Sequence, residues 1–155
     1  MREGFMREAI ALAVQNVRTG RGGPFAAVVV KAGAMVARGA NLVTASNDPT
    51  AHAEVVAIRA ACQALETFQL TGCELYTSCE PCSMCLSAIY WARLSRYYYA
   101  QTREEAAKIG FDDSLIYEEI AKPPERRAIP GLRLLAEEAA EAFSEWVRSP
   151  SKVPY

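Results

Sequence analysis

The chain has 155 residues, 17 basic against 18 acidic side chains, and a formal net charge of −1. Near-neutral charge excludes a protein whose affinity comes from many phosphate contacts, and no apolar run approaches the roughly 20 residues of a membrane helix. The length predicts one domain, 1–155, able to bury roughly 70% of its unfolded surface without disulfide staples.

Five cysteines is an odd number for a disulfide framework, and the first residues carry charges of both signs with no signal-peptide core. The expectation is a cytoplasmic protein whose thiols are free to hold metal. Met6, Ala9, Ile10, Ala13, Val14 and Val17 recur at helical spacing, so residues 3–18 are predicted as an amphipathic helix. Gly20 to Pro24 stops it. Phe25 to Val30 is a short β-branched run that reads as a buried strand. Ala32-Gly33 is a hairpin turn, and 35–40 the returning strand.

Residues 42–49 read as a polar loop, with Thr50 as the cap of a helix whose apolar face is Val55, Ile58, Ala61, Cys62 and Leu65. Residues 73–79 form a strand, 81–92 a helix with Pro81 in its first turn, and 96–100 another strand. Short helices follow at 104–109 and 115–121. A weak strand is expected at 132–135, a long helix at 137–147, and a tail to Tyr155. This alternation after a first hairpin implies a mixed sheet with helices on both faces.

The chemistry concentrates in Thr50-Ala51-His52-Ala53-Glu54 and Glu80-Pro81-Cys82-Ser83-Met84-Cys85. His52 is the only histidine. One imidazole and two thiolates are three zinc ligands, which leaves a fourth position for water. Cys82 and Cys85 fall on one side of a first helical turn, where the helix dipole favours anionic sulfur. Glu54 is then a spare carboxylate that can carry protons. H-x-E … P-C-x-x-C is the pattern of zinc nucleobase deaminases. A redox Cys pair, two core cysteines, and a closed structural site with Cys79 as fourth ligand are the rival readings.

At these residues the sequence resembles the cytidine-deaminase-like superfamily, and within it the bacterial guanine deaminases. The resemblance extends through Gly22-Gly23-Pro24-Phe25, Ser46-Asn47-Asp48-Pro49, Tyr76-Thr77-Ser78-Cys79, Ala88-Ile89-Tyr90-Trp91-Ala92-Arg93, Gly110-Phe111-Asp112-Asp113-Ser114 and the closing Tyr155. It implies an α/β protein, a three-layer α/β/α sandwich around a five-stranded mixed sheet. It implies conversion of guanine and water to xanthine and ammonia, with attack at C2. It implies one Zn²⁺ per chain on His52, Cys82 and Cys85, and Glu54 as proton shuttle. By the same resemblance Phe25 stacks on the purine, and Asn41, Asp113 and the Ala53 backbone meet its polar edge. Trp91 and Phe111 wall the pocket, and Tyr155 closes it from a tail, 148–155. The partners implied are a small purine base and a second copy in a homodimer, with exchanged C-terminal segments, and neither nucleic acid nor membrane. Deamination of tRNA adenosine, cytosine or an aminotriazine, and a non-catalytic zinc-stabilised domain, are the alternatives.

Plain packing roles compete for several of these residues. Phe25 begins an apolar run, Trp91 and Tyr90 suit a helix core, and Asn41 suits a strand end. Asp112 or Asp113 suits a helix cap, and Tyr155 a frayed terminus. Cys62 and Cys73 read as packing residues.

Overall fold

The structure, a computed structural model, describes residues 2–155. The chain clusters into two compact units, Met1–Asp113 and Ser114–Tyr155. The first opens with α1, Arg2–Arg18, and the hairpin of β1, Ala26–Lys31, and β2, Ala34–Ala40. Ala32 and Gly33 both take positive φ (49° and 78°), as a two-residue turn matched to strand twist requires. Then come α2 (Val43–Ser46), α3 (Ala53–Ala64), β3 (Cys73–Cys79), α4 (Ser83–Trp91), β4 (Arg96–Gln101) and α5 (Arg103–Ala107).

The four strands lie in the order β2-β1-β3-β4. β1 is antiparallel to both neighbours, while β3 and β4 are parallel and joined through α4. Alternation along the strands divides the core. Val28 and Val30 of β1, with Tyr76 of β3, pack on Phe5, Met6 and Ala9 of α1. Ala27, Val29, Cys73 and Leu75 face the other way, onto Ala53, Ala57, Ile58 and Ala61 of α3 and Ile89 of α4. The sheet is thus mixed and covered on both faces, as the alternation of elements implies.

Three expectations are corrected. Residues 43–46 form a helical turn inside the expected polar loop. The cap position of α3 is His52, and the Thr50 hydroxyl instead donates to Asp48 Oδ1 at 2.7 Å. The fifth strand, expected at 132–135, does not form, and the sheet has four strands among the described residues. Leu135 sits in the left-handed region (φ 51°), which breaks an extended run, and the Leu132 and Leu134 side chains are exposed.

The second unit contains α6, Ser114–Ile120, a 3₁₀ turn at Pro124–Arg126, and α7, Ala136–Arg148. The Arg127 guanidinium donates to the carbonyls of Glu119 and Lys122 and ties the turn to the end of α6. Along α7, Phe143, Trp146 and Val147 make an exposed apolar stripe beside Glu137, Glu138, Glu141 and Glu145.

One close approach positions the start of α3. A Cβ on Gly39 of β2 would lie 2.3 Å from the Ala53 carbonyl oxygen and 2.4 Å from the Ala57 nitrogen, both backbone atoms. No side chain fits there without moving the helix that carries His52 and Glu54. Gly39→Ala is therefore expected to destabilise the fold by about 3 kcal/mol through overpacking. Chemical denaturation checks this, and an unchanged midpoint would refute it.

Candidate active site

Two helix N-termini meet at one point. His52 precedes α3 and Cys82 precedes α4, both with extended backbone (ψ 152° and 171°), and neither side chain caps its own helix. Their side chains turn toward each other. His52 Nδ1 lies 3.6 Å from Cys82 Sγ and 3.6 Å from Cys85 Sγ. The three ligand atoms all lie within 4.8 Å of one another. Tetrahedral zinc, with Zn–S of about 2.3 Å and Zn–N of about 2.0–2.1 Å, sets each N···S pair at about 3.5 Å. The donor set therefore fits zinc in both chemistry and spacing. Among the described residues no fourth protein ligand joins the group. Cys79, the candidate for a closed site, directs its thiol to the Thr102 carbonyl at 3.6 Å, and burial pushes its pKa up to about 11.

The two site thiols are not equivalent. Cys82 is the acidic one, its pKa lowered to about 4, first by a hydrogen bond from Cys85, then by His52 and by the Cys85 backbone amide. Cys85 holds its proton more tightly, because it donates to Cys82 and is buried beside Glu54. The His52 pKa is raised, chiefly through its bond with Cys82.

Among the described residues Glu54 is the one buried carboxylate, 6% exposed. Burial raises its pKa above the usual carboxylate range. The Thr77 hydroxyl donates to its Oε1 at 3.3 Å, and the Cys85 thiol to its Oε2 at 3.3 Å. A buried carboxylate thus stands in contact with the ligand cluster but outside it.

The other expected site residues fall into three groups. Phe25 and Phe111 meet edge to face, with centroids 4.8 Å apart. Asn41 is buried next to them: its N–H donates to the Phe25 carbonyl at 2.9 Å, and its Oδ1 accepts from Val43 N at 3.4 Å. The next amide, Leu42 N–H, donates to the Ala51 carbonyl at 3.0 Å and ties this loop to the residue before His52. Ala53 opens α3, so its N–H is among the first-turn amides that no helical carbonyl can take. Asp113 is gripped by Arg103, which donates through Nε at 2.9 and 3.2 Å and through Nη2 at 2.9 Å.

Trp91, at the end of α4, is exposed and lines an open groove with Leu86, Ser87, Tyr90 and Arg93, whereas Cys85 and Ile89 of the same helix are buried. Tyr155 ends the second unit and is exposed. Three residues were not singled out in the sequence. Asn16 of α1 donates from Nδ2 to the carbonyls of Gly23 and Asn41, both at 2.9 Å. Arg103 is the second, and only its distance-10 partner Asp113 reveals it. Thr77 had a signal, a hydroxyl in a strand otherwise apolar on that face.

Replacing His52 with Ala, or Cys82 or Cys85 with Ser, is expected to weaken zinc binding by more than about 100-fold, since each removes one of three ligands. Metal analysis of purified protein after dialysis reads this directly. A variant that retained one zinc per chain would remove that residue from the ligand set.

Comparison with known proteins agrees with this geometry. Residues 1–101 match the family model of the cytidine and deoxycytidylate deaminase zinc-binding region. The chain is 54% identical to guanine deaminase of Bacillus subtilis over 153 residues, covering 99% of this chain and 98% of that protein. The X-ray structure of guanine deaminase from Bacillus subtilis superposes with a TM-score of 0.97 at 53% identity, covering 100% of this chain and 99% of that one. The tRNA-specific adenosine deaminase of Agrobacterium fabrum is 49% identical over 76 residues, 49% of this chain and 50% of that protein. A zinc-ligand triad with a buried carboxylate beside it, in a chain that matches the family model over most of its length, places this protein in the cytidine and deoxycytidylate deaminase zinc-binding family.

Proposed function

We propose that the chain is a zinc-dependent aminohydrolase that converts guanine and water to xanthine and ammonia. The observation that carries this is the open-sided His52, Cys82, Cys85 triad with Glu54 buried against it. Similarity to guanine deaminase over nearly the whole chain supports guanine among the possible rings. The matched stretch of the tRNA adenosine deaminase covers only half the chain, and the acidic stripe of α7 is the wrong sign for an RNA backbone.

Zinc, when held by these three residues, lowers the pKa of a water at its open position to about 7. The remaining work belongs to the chain. Glu54 takes one proton from the attacking water and delivers it to a ring nitrogen, then takes the second from the new C2 hydroxyl and delivers it to the departing amine, so that C2 gains a carbonyl oxygen and loses ammonia. Burial raises the pKa of Glu54 above the ordinary carboxylate range, the direction that strengthens a carboxylate as a base. The Phe25–Phe111 pair supplies an apolar platform for a purine face. Asn41, the Ala53 amide and Asp113 supply polar groups for its edge. Asp113 is held for that task by Arg103. Trp91 and Tyr155 belong to the proposed pocket on the family resemblance alone.

The finer reading is a cytoplasmic enzyme of purine metabolism that acts as a homodimer with exchanged C-terminal segments, the tail closing a pocket. No helix among the described residues is long and apolar enough to cross a membrane. Guanine incubated with the protein should lose its absorbance in favour of xanthine, and a chelator should abolish this. Ammonia released from tRNA but not from guanine would reverse the assignment. Glu54→Gln should keep zinc and fold while turnover falls at least about 10²-fold; normal turnover would remove Glu54 from the mechanism. Deleting residues 150–155 should lower kcat/KM much more than thermal stability, and unaltered kinetic constants would take the tail out of the pocket.

A further inference from the structure

β3 is buried along almost its entire length, and a strand of that kind is ordinarily filled by Val, Ile or Leu. Cys73, Leu75, Thr77 and Cys79 share the face turned to α3 and α4. Thr77 stands in the middle of this face and is fully buried. A hydroxyl costs free energy there unless it is hydrogen-bonded. Its partner is Glu54 Oε1, at 3.3 Å. Glu54 has a second donor, the Cys85 thiol at Oε2, but Cys85 is itself a proposed metal ligand. Thr77 is the donor whose hold on Glu54 is independent of the metal.

We propose that Thr77 is a positioning residue for the proton shuttle. Its hydroxyl fixes Oε1, and so aims Oε2 at the Cys85 side of the site. The inference rests on the reading of Glu54 as the proton carrier. Strand register sets the geometry: Thr77 pairs with Ala27 of β1 and Tyr99 of β4, so its backbone is held from both sides and the hydroxyl is delivered from a rigid element. At 3.3 Å the bond is long for an O–H···O contact, as catalytic hydrogen bonds are before substrate tightens them.

The test compares Thr77→Val, which keeps shape and loses the hydroxyl, with Thr77→Ser, which keeps the hydroxyl, on zinc-loaded protein with guanine. Thr77→Val should lower kcat about 10-fold, the loss expected of one hydrogen bond, with KM within about twofold and zinc content unchanged. Thr77→Ser should restore most of the rate. Crystal structures of the variants give a readout apart from activity: the Glu54 carboxylate should rotate in Thr77→Val and stay in place in Thr77→Ser. Thr77→Ala is the second hydroxyl-free variant and should reproduce the Thr77→Val effect. Equal losses in Val and Ser variants, loss of zinc in every hydroxyl-free variant, or an unmoved Glu54 would each overturn the proposal. If Glu54→Gln is inactive while Thr77→Val is normal, only the role of Thr77 fails. If Glu54→Gln is fully active, the proton-shuttle reading fails first.

Discussion

The molecule is organised around the approach of one imidazole nitrogen to two sulfurs at 3.6 Å. These atoms come from two helices that start at the same end of one sheet. α3 reaches this point because Gly39 lets its first turn lie directly on β2. α4 reaches it as the crossover between the parallel strands β3 and β4. A helix start offers unpaired amides and a positive field, and thiolates are stabilised by both. The pKa of Cys82 is low chiefly because the Cys85 thiol donates to it, with His52 and the Cys85 amide of that helix start adding to the effect.

Beside this cluster the sheet supplies the opposite kind of environment. Glu54 is withdrawn from water and faces the side of β3 on which Thr77 is flanked by Cys73, Leu75 and Cys79. Desolvation alone would push a carboxylate toward its neutral form. Thr77 and Cys85 each return part of that loss by hydrogen bonding. The carboxylate is thus held by three elements at once: α3 fixes its backbone, and β3 and α4 fix its head. Electrostatic effects are larger in such a dry setting than they would be at the surface.

Much of this arrangement was legible in the sequence, for physical reasons that differ by residue. The strand at 73–79 was found with its observed ends, where Cys73, Leu75, Thr77 and Cys79 alternate onto one face. His52, Cys82 and Cys85 were found because their residue types and spacing serve little else. What escaped is long-range. The grip of Arg103 on Asp113 and of Asn16 on the Gly23 and Asn41 carbonyls depends on how the chain folds back. Thr50 had the right chemistry for a cap, but Asp48 competes for its hydroxyl. Leu132 to Leu135 had the right composition for a strand, yet the left-handed Leu135 leaves them without an extended backbone.

The residues just before α3 and α4 have a further meaning. A helix ordinarily begins with a Ser, Thr, Asp or Asn whose side chain folds back onto its first amides. Here those places are held by an imidazole and a thiol that point outward to a shared centre and leave both helices uncapped by their own side chains. An ion held between them fastens two chain segments far apart in sequence. Zinc bound there would therefore act as a structural rivet between α3 and α4 as well as a catalytic ion.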